Sequence, residues 1–272
     1  MSAENAIGVF DSGLGGLSAV REFLRVLPHE KIIYFGDTGR VPYGTRSCDT
    51  IKKYAVQDTN FLLRHNVKMI VAACGTVSSV AGDLLRDSLK VPYTGVVNPT
   101  AFTAARVTRN GRVGVIGTSA TVSSHSYRLR LNKLNPQIRV FEEACPLFVP
   151  LVENGFIDRC DVIAMATVAR YLWPLKDEGI DTLILGCTHF PLLKEVISDY
   201  MGPGVRLIDS GLETAVYAAK VLGEQKLLST RDEQPDPAFY ISDTPDSFSS
   251  VAKLFLGRNM EHAVTQIDIE AY

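Results

Sequence analysis

Close-spaced cysteines are missing from this chain. The five it has, Cys48, Cys74, Cys145, Cys160 and Cys187, are odd in number and widely separated, which disfavours a secreted disulfide framework and leaves reduced thiols as the expectation. No apolar run approaches the roughly 18 residues that a membrane helix requires, and the opening MSAENAIGVF carries no cationic leader. A cytoplasmic protein with no membrane contact is therefore expected. Neither sign of charge dominates: 28 basic against 30 acidic side chains leave a formal charge of −2, which argues against nucleic acid as a principal partner. Low-complexity tracts and short repeats are also absent. With 46% hydrophobic and 21% charged residues over 272 positions, the chain can bury a core without cross-links, in two domains of ordinary size.

Short β-branched runs alternate with longer amphipathic segments. IGVF, KIIYF, KMIVAA and YTGVV come first, then RVGVI, IRVF, TLIL and VRLI, a pattern that reads as parallel α/β. After the first run Leu14, Leu17, Val20, Leu24 and Leu27 recur at steps of three and four, predicting a helix that packs one face on a sheet and ends at Pro28. The order then repeats. Ile7 and Val113 open matching strands 106 residues apart, and Ile32 and Ile138 the next pair at the same offset. Cys74 and Cys187, 113 apart, each follow the third strand of their half, and Val91 and Val205 open the fourth pair at 114. Near-constant offsets of this length point to a duplicated α/β domain rather than a solenoid. Seams are expected near Asn98–Pro99 and near Asp209. The expected lobes are thus 1–97 with 210–272, the tail packing back on the first half, and 98–209, with a cleft between them.

Ligands of parallel α/β sheets collect beyond the carboxyl ends of the strands. The residues standing there are Asp11 and Ser12; Cys74, Gly75 and Thr76; Thr118 and Thr121; and Cys187, Thr188 and His189. An isolated buried cysteine reads as core filler. Two at equivalent strand ends of a duplicated pair would face each other across the cleft, which packing does not require. One thiolate and one thiol on opposite sides of a substrate suit inversion of a carbon acid: one removes a proton while the other delivers one to the far face. A helix N-terminus beside each would lower the thiol pKa. Protonated His189 would stabilise a Cys187 thiolate, and Asp11 would make Cys74 more basic. Taken singly, Asp11, Ser12 and the threonines read equally well as helix caps, and His189 as a cap before Pro191. VPYG, with Pro42, Tyr43 and Gly44, reads as a turn whose Tyr43 lines a pocket or the surface. Cys48, Cys145 and Cys160, and His29, His65, His125 and His262, receive no role.

Two rival chemistries draw on the same residues. GLGG after a strand, with Asp37 closing the next, suggests a dinucleotide fingerprint, but its third glycine falls on Ser18 and Asp11 would put negative charge near a pyrophosphate. Cys74, Cys187, His189 and Asp11 are all competent zinc ligands, yet no CxxC-type pair accompanies them. Neither a cofactor nor a metal is expected.

The motifs GVFDSGLGGLSAV, YFGDTGRVPYG, AACGTVSS, VIGTSATVSS, GCTHFPLL, LIDSG and the late FLG, in this order over nearly the whole chain, resemble the glutamate racemases, cofactor-independent enzymes that supply D-glutamate for bacterial peptidoglycan. The resemblance implies two α/β lobes with the site between them, Cys74 acting on D-glutamate, Cys187 on L-glutamate, and Asp11 and His189 assisting. It also implies substrate contacts at Asp11, Ser12, Pro42, Tyr43, Gly44, Gly75, Thr76, Thr118, Thr121, Thr188 and His189, with Glu153 of LVENG a further polar neighbour. Where the family usually has asparagine this chain has Gly75, which keeps a backbone N–H and lacks the amide side chain. In relatives acting on aspartate the histidine after the second cysteine is generally replaced, so His189 favours glutamate. A racemase of aspartate or another amino acid, and a non-catalytic small-molecule-binding protein, are the alternatives; a homodimer is left open.

Overall fold

Short runs buried at every position, such as Ile7–Asp11, Ile32–Gly36, Met69–Ala72 and Thr182–Leu185, decide the architecture. The structure, a computed structural model, describes residues 2–245, 248–257 and 264–272, so that His262, one of the histidines given no role, lies outside the described residues. Within the described residues the strands are β1 (Ile7–Asp11), β2 (Ile32–Gly36), β3 (Met69–Ala72), β4 (Tyr93–Gly95), β5 (Arg112–Gly117), β6 (Arg139–Ala144), β7 (Thr182–Leu185), β8 (Arg206–Asp209), β9 (Ala238–Ile241) and β10 (Val264–Gln266). They form two sheets, ordered β10-β9-β2-β1-β3-β4 and β6-β5-β7-β8, and every pairing is parallel. The series β2-β1-β3-β4 of the first sheet is repeated as β6-β5-β7-β8 in the second.

Both faces of each sheet are covered, as parallel sheets require. Ile7, Val9, Ile32, Tyr34, Met69 and Val71 point into a core that continues to Ile116, Leu183 and Leu185 of the second sheet, so one apolar body joins the two. The intervening residues Phe10, Ile33, Phe35, Ile70 and Ala72 enter a second core on the outer face of the first sheet. Val113, Val115 and Ile184 enter a third on the outer face of the second. This is the period-two alternation of a strand.

The first helix spans Leu17–Val26, leaving Leu14 outside it although the spacing counts Leu14 as its opening residue. The cause is local: one Asp11 carboxylate oxygen accepts the N–H groups of Gly13 (3.1 Å) and Gly16 (3.0 Å), and this holds the intervening segment as a turn. Asn98 and Pro99, expected at a seam, lie in the first turn of the helix Val97–Val107. That helix carries the chain from the first sheet to the second, and Ser210–Glu224 carries it back, with Asp209 capping the latter through the N–H groups of Gly211 and Leu212. The two crossings are joined by a hydrogen bond from Thr103 Oγ1 to Glu213 (2.5 Å). β9 then pairs with β2, and β10 with β9.

Candidate active site

Side chains beyond the carboxyl ends of the strands of both sheets converge on a cavity of about 610 Å³, within the usual size for small-molecule sites. Asp11 and Ser12 come from the end of β1, Pro42, Tyr43 and Gly44 from the loop after β2, and Cys74, Gly75 and Thr76 from the end of β3. Thr118 follows β5, Glu153 stands beyond β6, and Cys187, Thr188 and His189 follow β7; all of these line the cavity. Cys74 stands two residues past the end of β3 and Cys187 two past the end of β7, so the duplication places them at corresponding points. Thr121 does not line the cavity. It is 1% exposed, and its hydroxyl meets that of Thr118 (3.1 Å) behind the wall.

Each thiol has a different escort. Cys74 Sγ lies 3.5 Å from Ser12 Oγ. Burial, together with the negative charge of Asp11, pushes its pKa up to about 12. The expected lowering by a helix N-terminus is therefore not realised: Cys74 does precede the helix Gly75–Val80, but that helix has fewer than two turns, and desolvation of a thiolate outweighs it. Cys187 Sγ lies 3.9 Å from His189 Nδ1, whose other ring nitrogen is 3.0 Å from Glu153. Burial disfavours a charge on this imidazole, but Cys187, Glu153 and Asp11 around it prevail and push its pKa up to about 10. His189 precedes the short helix Phe190–Leu193 without capping it through its side chain. Instead it meets the Phe255 ring edge-on at 5.0 Å, which gives the late FLG motif a physical purpose.

Asp11 is 1% exposed, and burial raises its pKa against the pull of His189 and three backbone N–H groups. One of its oxygens holds the β1 turn, as a cap-like residue would. The other has no hydrogen-bond partner among the described residues. Across the cleft the Thr76 and Thr118 hydroxyls meet at 3.0 Å, and Thr118 also caps the helix Ser119–Ser123. The cavity thus offers both a buried carboxyl oxygen without a hydrogen-bond partner among the described residues and a set of hydroxyl groups.

The Tyr43 loop is held from below by a buried network that composition alone does not reveal. Tyr43 donates a short hydrogen bond to Asp37 and stands 3.2 Å from Asp58. Arg40 bridges the two acids, at 2.6 Å from Asp37 and 3.1 Å from Asp58. Burial, aided by the neighbouring Asp37, holds the Asp58 carboxyl well above the usual carboxylate range. Sequence reasoning expected the tail to pack back on the first half but not that it would reach the cavity: Ile241, Asp243, Thr244 and Val251 line it, and Ser242 hydrogen-bonds Asp37 (2.7 Å). Of the cysteines without a role, Cys48 and Cys160 are exposed, while Cys145 is buried beyond β6 with its pKa raised by burial, Glu143 and Cys187. Among the described residues no group of three or more His, Cys, Asp or Glu side chains could hold a metal ion.

Comparison with known proteins gives a consistent picture. A family model described as Asp/Glu/Hydantoin racemase matches residues 14–218. Glutamate racemase of Geobacter metallireducens is 46% identical over 266 residues, covering 98% of this chain and 97% of that protein. Glutamate racemase of Neisseria meningitidis is 47% identical over 259 residues, 95% of each. A crystal structure of glutamate racemase from Francisella tularensis in complex with D-glutamate matches with a TM-score of 0.91 and 39% identity, covering 99% of this chain and 100% of that one.

Proposed function

The chain belongs to the Asp/Glu/hydantoin racemase family, and from that membership we propose that it interconverts L- and D-glutamate by two-thiol proton transfer at the α carbon. One observation carries the reading: Cys74 and Cys187, at corresponding strand ends of the two sheets, line one cavity. In the L-to-D direction the Cys187 thiolate takes the α proton and becomes a thiol, while the Cys74 thiol delivers its proton to the opposite face and becomes a thiolate. The reverse direction exchanges the roles. The resting protonation pattern supports this assignment, since a thiol with a pKa near 12 is protonated at neutral pH and an imidazole with one near 10 is cationic beside Cys187.

Asp11 receives the substrate ammonium on its unpaired oxygen. An unsatisfied buried acceptor costs roughly 1–3 kcal/mol, and a cationic ligand group recovers that cost. Ser12, Thr76, Thr118 and Thr188, with the Pro42–Tyr43–Gly44 loop and the Gly75 backbone, hold the two substrate carboxylates; Thr121 acts through Thr118. We read residues 1–97 with 210–272 as one lobe and 98–209 as the other. No helix among the described residues is long and apolar enough to cross a membrane, and free thiols suit a reducing cytoplasm, where the product would supply peptidoglycan synthesis. Assembly as a homodimer is tested by light scattering.

The test of the reaction is turnover of each glutamate enantiomer in deuterium oxide. Inverted product carrying deuterium at the α carbon is expected; failure to racemise glutamate, or inversion that retains the original proton, overturns the proposal.

A further inference from the structure

The run GLGGLS after β1 stops short of a dinucleotide fingerprint at Ser18, and the fold gives that residue a different task. Cys187, Thr188 and His189 link β7 to the turn Phe190–Leu193, and all three are buried. Their backbone carbonyls are satisfied in two ways. Those of Cys187 and His189 accept N–H groups of the following turn, from Phe190 (3.1 Å) and Leu192 (3.1 Å). The Thr188 carbonyl accepts instead from Ser18 Oγ at 2.7 Å, from the helix that follows β1 of the other sheet.

Gly15 completes the contact. It lies so close to the Thr188 hydroxyl and the His189 ring that a Cβ there would overlap both, and its carbonyl accepts the Ser18 N–H at 3.0 Å. One turn of chain thus meets the His189 ring with backbone and the peptide before that ring with a hydroxyl. Of the two contacts, only the hydroxyl fixes a direction. The Thr188 carbonyl lies in the peptide plane shared with His189, so a rotation of that plane carries the base of the His189 side chain with it. A buried carbonyl stripped of its donor is costly and turns toward a new one. Here the nearest open space is the cavity that Thr188 and His189 line.

We propose that Ser18 is a positioning residue for Cys187 and His189: its hydroxyl fixes the Thr188–His189 peptide and so holds the imidazole between the sulfur and Glu153. This role rests on the two-thiol reading of the reaction. Ser18 itself does not line the cavity, so it acts through the peptide rather than on the substrate. What it controls is whether His189 keeps Cys187 at 3.9 Å and Glu153 at 3.0 Å at the same time. Burial opposes a charge on this ring, and Cys187, Glu153 and Asp11 outweigh burial. A ring displaced from those neighbours therefore titrates at lower pH. Loss of stability or of substrate affinity alone has no such signature.

The test compares the unaltered enzyme with Ser18→Ala and Ser18→Thr by racemisation of glutamate and by NMR titration of the His189 ring, with circular dichroism to verify folding. Misplacement on the ångström scale can cost about a hundredfold in rate. Ser18→Ala is expected to lose about tenfold or more in kcat and to titrate His189 about one pH unit or more lower. Ser18→Thr keeps the hydroxyl and is expected to restore both. A folded Ser18→Ala whose His189 titration is unchanged overturns the proposal, whatever its kcat, and so does a Ser18→Thr as impaired as Ser18→Ala in both readouts. If Ser18→Ala does not fold, a crystal structure of the unaltered enzyme with D-glutamate decides. Ser18 Oγ on the Thr188 carbonyl, with His189 between Cys187 and Glu153, supports the proposal; a different donor on that carbonyl overturns it. If the unaltered enzyme does not racemise glutamate, the reading of the reaction fails, and the His189 titration still decides whether Ser18 positions the ring.

Discussion

Glu153 and Cys187 occupy opposite nitrogens of the same imidazole: His189 Nε2 is 3.0 Å from the carboxylate and Nδ1 is 3.9 Å from the sulfur. Glu153 is about half exposed, so it acts on the thiol through the ring, which is buried.

Replacing Glu153 by Gln removes one of the groups that keep His189 charged. Its pKa then falls from about 10, and the alkaline limb of kcat/KM for L-glutamate moves to lower pH. The same linkage affects stability. A histidine whose pKa rises on folding, here from 6.5 to about 10, contributes stability that is fully present below 6.5 and lost as pH rises through 10. Thermal melts across that range should show Glu153→Gln losing its deficit relative to the unaltered protein at the alkaline end. A pH–rate profile that stays in place would mean that the carboxylate has no hold on the ring.

Cys74→Ala and Cys187→Ala should each remove racemisation, by about 10²–10⁴-fold or more, the range assigned to positioned general acid–base groups. Polarimetry on both glutamate enantiomers measures this. Substantial turnover in either variant would contradict a role for both sulfurs.

Asp11→Asn should make Cys74 more acidic, because after burial the carboxylate charge is the largest influence holding that thiol near 12. Alkylation of Cys74 should then begin at lower pH than in the unaltered protein. KM for glutamate should rise together with it, since the amide offers the ammonium a neutral acceptor. Both are read from the same variant, by mass spectrometry of the alkylated peptide and by steady-state kinetics.

Asp58→Asn tests the support under the Tyr43 loop. An acid whose pKa is raised on folding contributes stability that is complete below its unfolded value and lost as pH rises through the folded one. The amide keeps its carbonyl oxygen as an acceptor for Arg40 and turns its NH2 group toward the Tyr43 oxygen, without the second negative charge beside Asp37. The difference in Tm between variant and unaltered protein should therefore shift in favour of the variant as pH increases from acid to neutral. A difference independent of pH would show that Asp58 does not change its proton affinity on folding.

The strand ends were legible because parallel sheets bury both faces. Ile7, Val9, Ile33 and Val71 had to be apolar, and whatever follows such a run is free to be chemical. The duplication was legible for a related reason, since Cys74 and Cys187 keep the same distance from the strands before them. Other features depend on neighbours remote in sequence. Thr121 has the residue type of a contact, but one turn of helix after Thr118 puts its hydroxyl behind the wall. The contributions of Ile241 and Phe255 become apparent only once β9 is seated beside β2. Asp37 and Asp58 are separated by a loop and a helix, and no periodicity indicates that one arginine will bridge them. The rise of the Cys74 pKa was legible in part, through Asp11, while the lowering expected from the helix that follows failed because the sequence does not show how thoroughly water is excluded from the sulfur.

The repeated strand order makes the two halves counterparts, yet their sulfurs are not equivalent, one having a carboxylate and the other an imidazole for company. The molecules they exchange are mirror images and have identical free energies in achiral water. For a catalyst of that exchange, kcat/KM for L-glutamate and for D-glutamate must be equal at every pH, however lopsided the site. The asymmetry can therefore appear only in how the barrier is divided, in which enantiomer lingers and in which sulfur rests charged between turnovers.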